Sequence, residues 1–335
     1  MKISMPDIAQ RAGVSTTTVS RVINNKAKGV SKQTRNRILE IIKETNYRPS
    51  IQARNIARSH SNIIGVIIPD MANLFYPKII RGINDCITKH GHLMMLCNSD
   101  SNPETEQQQL LAMVDNRVAG VVLCSGVSND SFLKEYHQFG TPLVMIGRNS
   151  DSKYADGQIT GDNIAGMYES ASYILGHGHR DILYMDGPME VSGPNFRQKG
   201  FRHAMADKGV PVDESMVFNG DFSVAYGYRT VSDLLEKGRR FTAVISGSDL
   251  IAVGAVKALI RHGVSVPKDV EVIGYDNIDL SEICEPALST VSKPHYDMAY
   301  EAAEILMRII EGDTPKLRYI KTEAKLILRD TTRAD

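Results

Sequence analysis

Ala12-Gly13-Val14-Ser15-Thr16-Thr17-Thr18-Val19-Ser20-Arg21-Val22-Ile23-Asn24 is the stretch on which the reading of this chain turns. Ala12 closes one short helix, Gly13 supplies a tight turn, and Ser15 is a good N-cap for a second helix running to about Asn24. At about 100° per residue, Thr16, Thr17, Ser20, Arg21 and Asn24 share one arc, and Val19, Val22 and Ile23 fall on the opposite one. Such a helix packs on its apolar side and presents small, polar and basic groups on the other, which suits a DNA groove. An ordinary amphipathic surface helix has the same pattern, so the neighbouring residues decide. Upstream, Ser4-Met5-Pro6-Asp7 has the cap, the tolerated proline and the acidic residue of a helix start, with Ile8, Ala9 and Ala12 turned inward. Downstream, Ser31 caps a third helix that carries Ile38, Ile41 and Ile42 inward to about Thr45 and Lys32, Arg35, Arg37 and Lys43 outward. The three together read as a helix-turn-helix unit.

Charge supports the DNA reading. The 335-residue chain has 39 Lys+Arg and 39 Asp+Glu, a net charge of +0 that seems at first to exclude a polyanion. Residues 1–62, however, hold 12 basic and 3 acidic residues, against 27 and 36 in the remainder. A basic head on an acidic body confines polyanion binding to one end. Asn46-Tyr47-Arg48-Pro49 ends the third helix, because proline disfavours helical geometry just before it. Residues 50–58 then have a cap and a helical pattern of only about two turns, too short to hold alone in water. The organisation read from this is a helix-turn-helix domain over 1–47, a hinge over 48–61 that folds on DNA, and a core over 62–335.

The core alternates apolar strands, at 63–68, 93–97, 120–124, 143–146, 182–185, 243–246 and 270–275, with helices at 76–90, 104–116, 164–176, 196–208, 226–237 and 250–262. Doubly buried strands alternating with helices mean parallel α/β layers, and the number of elements calls for two such subdomains. Ligands in these folds bind beyond the carboxyl ends of the strands. The sequence contains no Walker loop, GxSxG elbow, HExxH or GxGxxG fingerprint, so no enzyme class is indicated. His90/His92 and His177/His179 flank glycines and read as turns. Cys86, Cys97, Cys124 and Cys284 show no metal-ligand spacing. With no apolar run of membrane-spanning length and no signal-like start, the expected setting is cytoplasmic, with no membrane, metal or cofactor.

The head, through AGVS, TVSRVIN, NYRP and ARNIAR, resembles the lactose/galactose repressor (LacI/GalR) family. The body continues the resemblance with IIGVIIPD, ANLFY, NSD, GHR, RQKGF, GDF, SDLIAVGA, VPKDVEVIGYDNI, PALSTV and LILRD, in order and over essentially the whole chain. It implies an all-α helix-turn-helix headpiece on a core of two interwoven α/β subdomains like a periplasmic sugar-binding protein. It also implies a homodimeric transcriptional regulator that binds pseudopalindromic operator DNA under the control of a small molecule. The expected ligand is a sugar, sugar acid or sugar phosphate; a purine or other corepressor is the alternative within the family. A soluble sugar-binding protein or sugar-modifying enzyme is the remote one. The chain ends without a leucine heptad tail, which favours a dimer over a tetramer.

Residue by residue, the resemblance puts Thr16, Thr17, Ser20, Arg21 and Asn24 on the reading helix, with Arg21 able to grip a guanine bidentately. Ala53 would face its dimer mate, Arg54 would lie near phosphates, and Ile56 would stand where a leucine usually wedges the minor groove. For the effector, Arg197 would bind polar groups, Asp276 would accept, Phe222 would stack, and Phe75 or Tyr76 would close the opposite wall. Two departures affect ligand choice. Gly147 precedes Arg148 where the family often has aspartate, and Ser248 stands where asparagine usually precedes Asp249. With Arg148 and Ser248 assigned to the pocket, an arginine with fewer acidic partners would tolerate, or prefer, an anionic ligand such as a sugar acid or sugar phosphate.

Overall fold

Among the described residues, the N-terminal unit holds three helices, α1 (Met5–Ala12), α2 (Thr16–Ile23) and α3 (Lys32–Glu44). The computed structural model describes residues 3–23, 29–47, 61–124, 130–148, 152–313 and 319–333 of the chain. Local chemistry sets each helix end. The Ser4 amide and hydroxyl donate to the Asp7 carboxylate at 2.8 and 2.6 Å, which satisfies a free donor at the start of α1. Gly13 adopts φ 66°, a left-handed conformation that glycine takes without penalty, and so ends α1 and turns the chain into α2. Ser15 and Ser31 accept from the amides of Thr18 and Thr34 at 3.2 and 3.1 Å, capping α2 and α3. Ile8, Ala9, Ala12, Val19, Val22 and Ile38 form the small core, with Ile41 and Ile42 packed partly buried against it.

From Ile63 strands and helices alternate. The first run is β1 (Ile63–Ile68), α4 (Tyr76–Lys89), β2 (Leu93–Asn98), α5 (Pro103–Asp115), β3 (Gly120–Leu123), α6 (Asp130–His137), β4 (Leu143–Ile146) and β5 (Gly157–Gly161). The second is α7 (Asn163–Gly176), β6 (Ile182–Asp186), α8 (Ser192–Asp207), β7 (Val217–Asn219), α9 (Val224–Glu236), β8 (Ala243–Ser246), α10 (Asp249–Arg261), β9 (Glu271–Tyr275), α11 (Asp279–Ile283) and β10 (Ser289–Ser292). The chain then returns through α12 (His295–Ile310), β11 (Tyr319–Thr322) and β12 (Lys325–Ile327). Contacts divide the chain into two compact units, Met1–Ser61 and Asn62–Asp335.

The second unit holds two six-stranded sheets, ordered β11-β5-β4-β3-β1-β2 and β12-β10-β9-β8-β6-β7. The strand order of the second repeats that of the first. Every pairing is parallel except β10 with β12. The chain passes between the sheets three times: from β5 to α7, from β10 to α12, and from β11 to β12. Although α12 follows β10, its Ala302, Ala303, Ile305 and Leu306 pack with Ile64, Val66, Val122 and Val144 of the first sheet. The first and third crossings are tied together, with the Asp162 amide donating to the Thr322 carbonyl at 2.9 Å and Lys321 pairing with Asp162 at 2.6 Å.

Among the described residues the anticipated strands and helices are all present, most within one or two residues of their expected ends, although α8 begins at Ser192 rather than Phe196; the helical segment expected over 50–58 lies outside the described residues. The pattern missed β5, β7, β10, β11 and β12, and with them α6, α11 and α12. The two histidine pairs sit at helix ends as expected. His90 and His177 are C-cap residues of α4 and α7, each followed by a glycine of positive φ.

Candidate functional site

On α2, Thr16, Thr17 and Arg21 are exposed and Ser20 is half-buried, while Val19 and Val22 are buried beneath them. The outward arc is therefore hydroxyls and one guanidinium on a helix held from below. Thr18 is turned partly inward, its Oγ1 lying 3.0 Å from the Ser15 Oγ, and serves the cap. Asn24, Ala53, Arg54 and Ile56 lie outside the described residues.

In the core unit a cavity opens beyond the carboxyl ends of the strands of both sheets. Phe75, Tyr76, Cys124, Ile146, Gly147 and Thr160 line it from the first sheet's side, with Val191, Pro194, Arg197, Phe222 and Asp276 from the second. Asn163, Lys293 and His295, on or beside the first and second crossings, complete it.

Arg197 projects from α8 and is 5 % exposed. Its Nε donates to Asp186 Oδ2 at 3.0 Å and its Nη2 to Oδ1 at 2.7 Å, a two-pronged contact with the last residue of β6. Burial opposes a charged guanidinium, but the Asp186 carboxylate outweighs it and holds Arg197 above its ordinary pKa. Asp186 also accepts from the Tyr184 hydroxyl and the Gly187 amide, each at 2.7 Å. Gly187 is required by a close approach, because a Cβ there would meet the Phe222 ring at 2.1 Å. Phe222 thus lies against the backbone, its ring centroid 5.8 Å from the Arg197 guanidinium carbon.

Opposite this pair, Asp276 has φ 105°, a conformation that L-residues rarely adopt. The strain, of order 1–3 kcal/mol, is tolerated because neighbouring contacts hold the loop. Asp249 provides several of them, with Oδ2 accepting from the Ile278 amide at 2.9 Å and Oδ1 from the Thr290 hydroxyl at 2.5 Å. Burial pushes the Asp249 carboxyl up to about 8, against the hydrogen bonds from Thr290 and Ile278. Lys293 Nζ pairs with Asp276 Oδ1 at 3.1 Å, donates to Asn163 Oδ1 at 3.3 Å, and lies 4.6 Å from the Tyr275 ring centroid. Burial pulls Lys293 below the usual lysine range, and Asp276 works against that pull. His295 packs edge-on against Phe75 at 4.7 Å, and burial lowers its pKa to about 3, leaving a neutral imidazole.

Five expected pocket residues, Phe75, Tyr76, Arg197, Phe222 and Asp276, therefore meet in one cavity. Arg148 and Ser248 do not line it. Gly147 does, but its φ of 85° turns the chain so that Arg148 is buried within the first subdomain. Ser248 caps α10, its Oγ accepting from the Leu250 amide at 3.3 Å. The expected shortage of acidic partners for Arg197 is also corrected, since the carboxylate lacking at Gly147 is supplied by Asp186 from the other sheet. Asp186, Lys293 and His295 were not anticipated. The signal was available, because each lies at or just past the end of a strand, where ligands of such folds bind.

Comparison with known proteins joins the two sites. The bacterial regulatory proteins of the lacI family match residues 4–50, and the periplasmic binding protein-like domain matches residues 171–332. Catabolite control protein A of Priestia megaterium is 31% identical over 334 residues, which cover 99% of this chain and 100% of the relative. The chain belongs to the LacI family. Among solved LacI-family structures, a CelR–cellobiose complex matches with a TM-score of 0.74 at 28% identity, covering 98% of this chain and 99% of that one. The Lac repressor dimer bound to operator and the anti-inducer ONPF superimposes with a TM-score of 0.86 over 100% of both chains. At 23% identity that likeness speaks for the fold alone.

Proposed function

We propose that this LacI-family member is a sequence-specific transcriptional regulator, a repressor whose affinity for operator DNA is set by a small carbohydrate-like effector in the Arg197–Asp276 cavity. The observation that carries the reading is one chain holding both an exposed hydroxyl-and-arginine face on α2 and a polar, aromatic-walled cleft between two α/β subdomains. The headpiece contributes specificity through Thr16, Thr17, Ser20 and Arg21, whose short hydroxyls and forked guanidinium reach base edges and phosphates in a major groove. Two headpieces in a homodimer would match a pseudopalindromic site, with Asn24 and the segment bearing Ala53, Arg54 and Ile56 completing the contact. The relative solved with cellobiose favours a sugar as effector. A regulator of this kind works beside the chromosome, in the cytoplasm. Among the described residues no helix is long and apolar enough to cross a membrane.

The two sites are coupled if ligand changes how the subdomains stand, which requires contacts that differ between the two states. The test has two steps. Selection of random duplex DNA on the full chain should enrich a two-fold symmetric site, and a ligand found by thermal-shift screening should then change the dissociation constant for that site at least ten-fold. Enrichment of no sequence, or a saturating ligand that leaves DNA affinity unchanged, refutes the reading.

A further inference from the structure

The pocket holds a gap that a hydroxyl would fit. His295 Nε2 lies 4.0 Å from Asp276 Oδ1, beyond hydrogen-bond distance, and is buried with no hydrogen-bond partner. An oxygen carrying a single proton, set about 2.8 Å from each atom, can give that proton to the carboxylate and accept one from a neutral imidazole. A hydroxyl meets that requirement. A carboxylate or phosphate oxygen has no proton to give and would sit against the Asp276 carboxylate.

The two cations of the pocket do not alter this. Arg197 already directs Nε and Nη2 to Asp186, and Lys293 is within reach of both Asp276 and Asn163. The charges of Arg197 and Lys293 are cancelled by those of Asp186 and Asp276, and His295 adds none at neutral pH. An anionic ligand would bring a charge that neither cation is free to balance, each being already paired with a carboxylate, in a site where burying such a charge is costly. We propose that Asp276, Lys293 and His295 form a hydroxyl-reading subsite, and that the effector is an uncharged polyhydroxy molecule rather than its acid or phosphate. Lys293 is the positioning residue, holding Asp276 in place, and Asp276 and His295 touch the ligand. Lys293 and His295 stand on the second crossing between the subdomains and Asn163 begins the helix after the first, so this hydroxyl is read at the segments about which the subdomains would move. The inference rests on the cavity being the effector site.

The test is calorimetry on the full chain with matched series: neutral pentoses, hexoses and disaccharides beside their aldonic acids, uronic acids and sugar phosphates. The tightest binder should be neutral, with its acid and phosphate at least ten-fold weaker. Its deoxy analogues should include one that binds the wild-type chain about ten-fold more weakly than the parent sugar does. To His295→Ala that analogue and the parent should bind equally. His295→Gln, which keeps a polar group in place, should recover part of the lost affinity, and unchanged melting temperatures of both variants exclude a folding defect. An acid or phosphate that binds tightest, the absence of such a deoxy analogue, or no binding in either series overturns the inference. An acid that binds tightest and still shifts operator affinity leaves the proposed function standing. A neutral sugar that fits the subsite without moving operator affinity removes the function and leaves the subsite.

Discussion

Replacing Asp186 by alanine should destabilise the core unit even in the absence of ligand. Asp186 is fully buried and Arg197 is 5 % exposed. The substitution leaves a desolvated guanidinium without its two-pronged partner, and also strips an acceptor from the Tyr184 hydroxyl and the Gly187 amide. Breaking a buried pair from one side costs about 3–5 kcal/mol, because the remaining charge stays where water cannot reach it. With an unfolding entropy of about 2.1 cal/mol/K per residue, a core of about 270 residues changes its melting temperature by roughly 1.8 °C per kcal/mol. The expected fall is therefore about 5–9 °C by calorimetry. The double variant Asp186→Ala/Arg197→Ala removes the stranded charge along with its partner and should recover at least half of that loss. A single variant within about 2 °C of wild type, or a double variant less stable than the single, would refute the idea that Asp186 is there to neutralise Arg197.

Three other outcomes follow from geometry. Burial alone would raise the Glu271 carboxyl, but hydrogen bonds from His179, Arg333 and His177 outweigh it and hold it below the usual range. A depressed carboxyl contributes stability above its unfolded pKa of about 4.3 and loses it as pH falls through the folded value. Glu271→Gln should therefore be less stable than wild type at pH 7, with the difference shrinking toward pH 3 in a melting series; a difference independent of pH would contradict this. At Gly227 a Cβ would lie 2.0 Å from the Ile251 carbonyl oxygen, and at Gly254 one would lie 2.1 Å from that of Val224, so α9 and α10 touch backbone to backbone. Gly227→Ala must push the helices apart and should cost about 1–3 kcal/mol, read by thermal unfolding. Arg21→Ala should relax base preference at one operator position by about 1–3 kcal/mol; equal weakening on every sequence would make Arg21 a phosphate contact instead.

The parts of this fold legible in the sequence were those where burial and hydrophobicity coincide. β1, β4 and β8 fall at their expected bounds because each is an apolar run between turns, with Ser246 only at the last position of β8. The missed β5 (Gly157–Gly161) and β10 (Ser289–Ser292) are just as deeply buried but rich in glycine, glutamine, serine and threonine. Their polar atoms are satisfied by specific partners. Gln158 donates to the Arg148 carbonyl at 2.7 Å, and the Ser289 hydroxyl lies 2.7 Å from that of Thr332. No periodicity records a hydrogen bond between residues 43 apart. The same blindness hid the side of the pocket beside the second crossing, because Lys293 and His295 follow an unseen strand. The residues Phe75, Tyr76, Arg197, Phe222 and Asp276 were legible through resemblance. The pairing of Arg197 with Asp186 was not, since it depends on how α8 packs beside the end of β6.

The three crossings also bear on how the protein is made. The first sheet has five of its strands by Gly161, yet the helix that covers Val122 and Val144 begins at His295, and its sixth strand ends at Thr322. At about 5–20 residues per second, a ribosome needs roughly 8–32 seconds to travel from one point to the other. For that interval the nascent chain carries five strands of a six-stranded sheet, with α4 but not yet α12 on the apolar face that the two helices share. A chain stopped before residue 322 therefore lacks part of the first sheet as well as of the second. Neither sheet is built from one contiguous stretch of the chain.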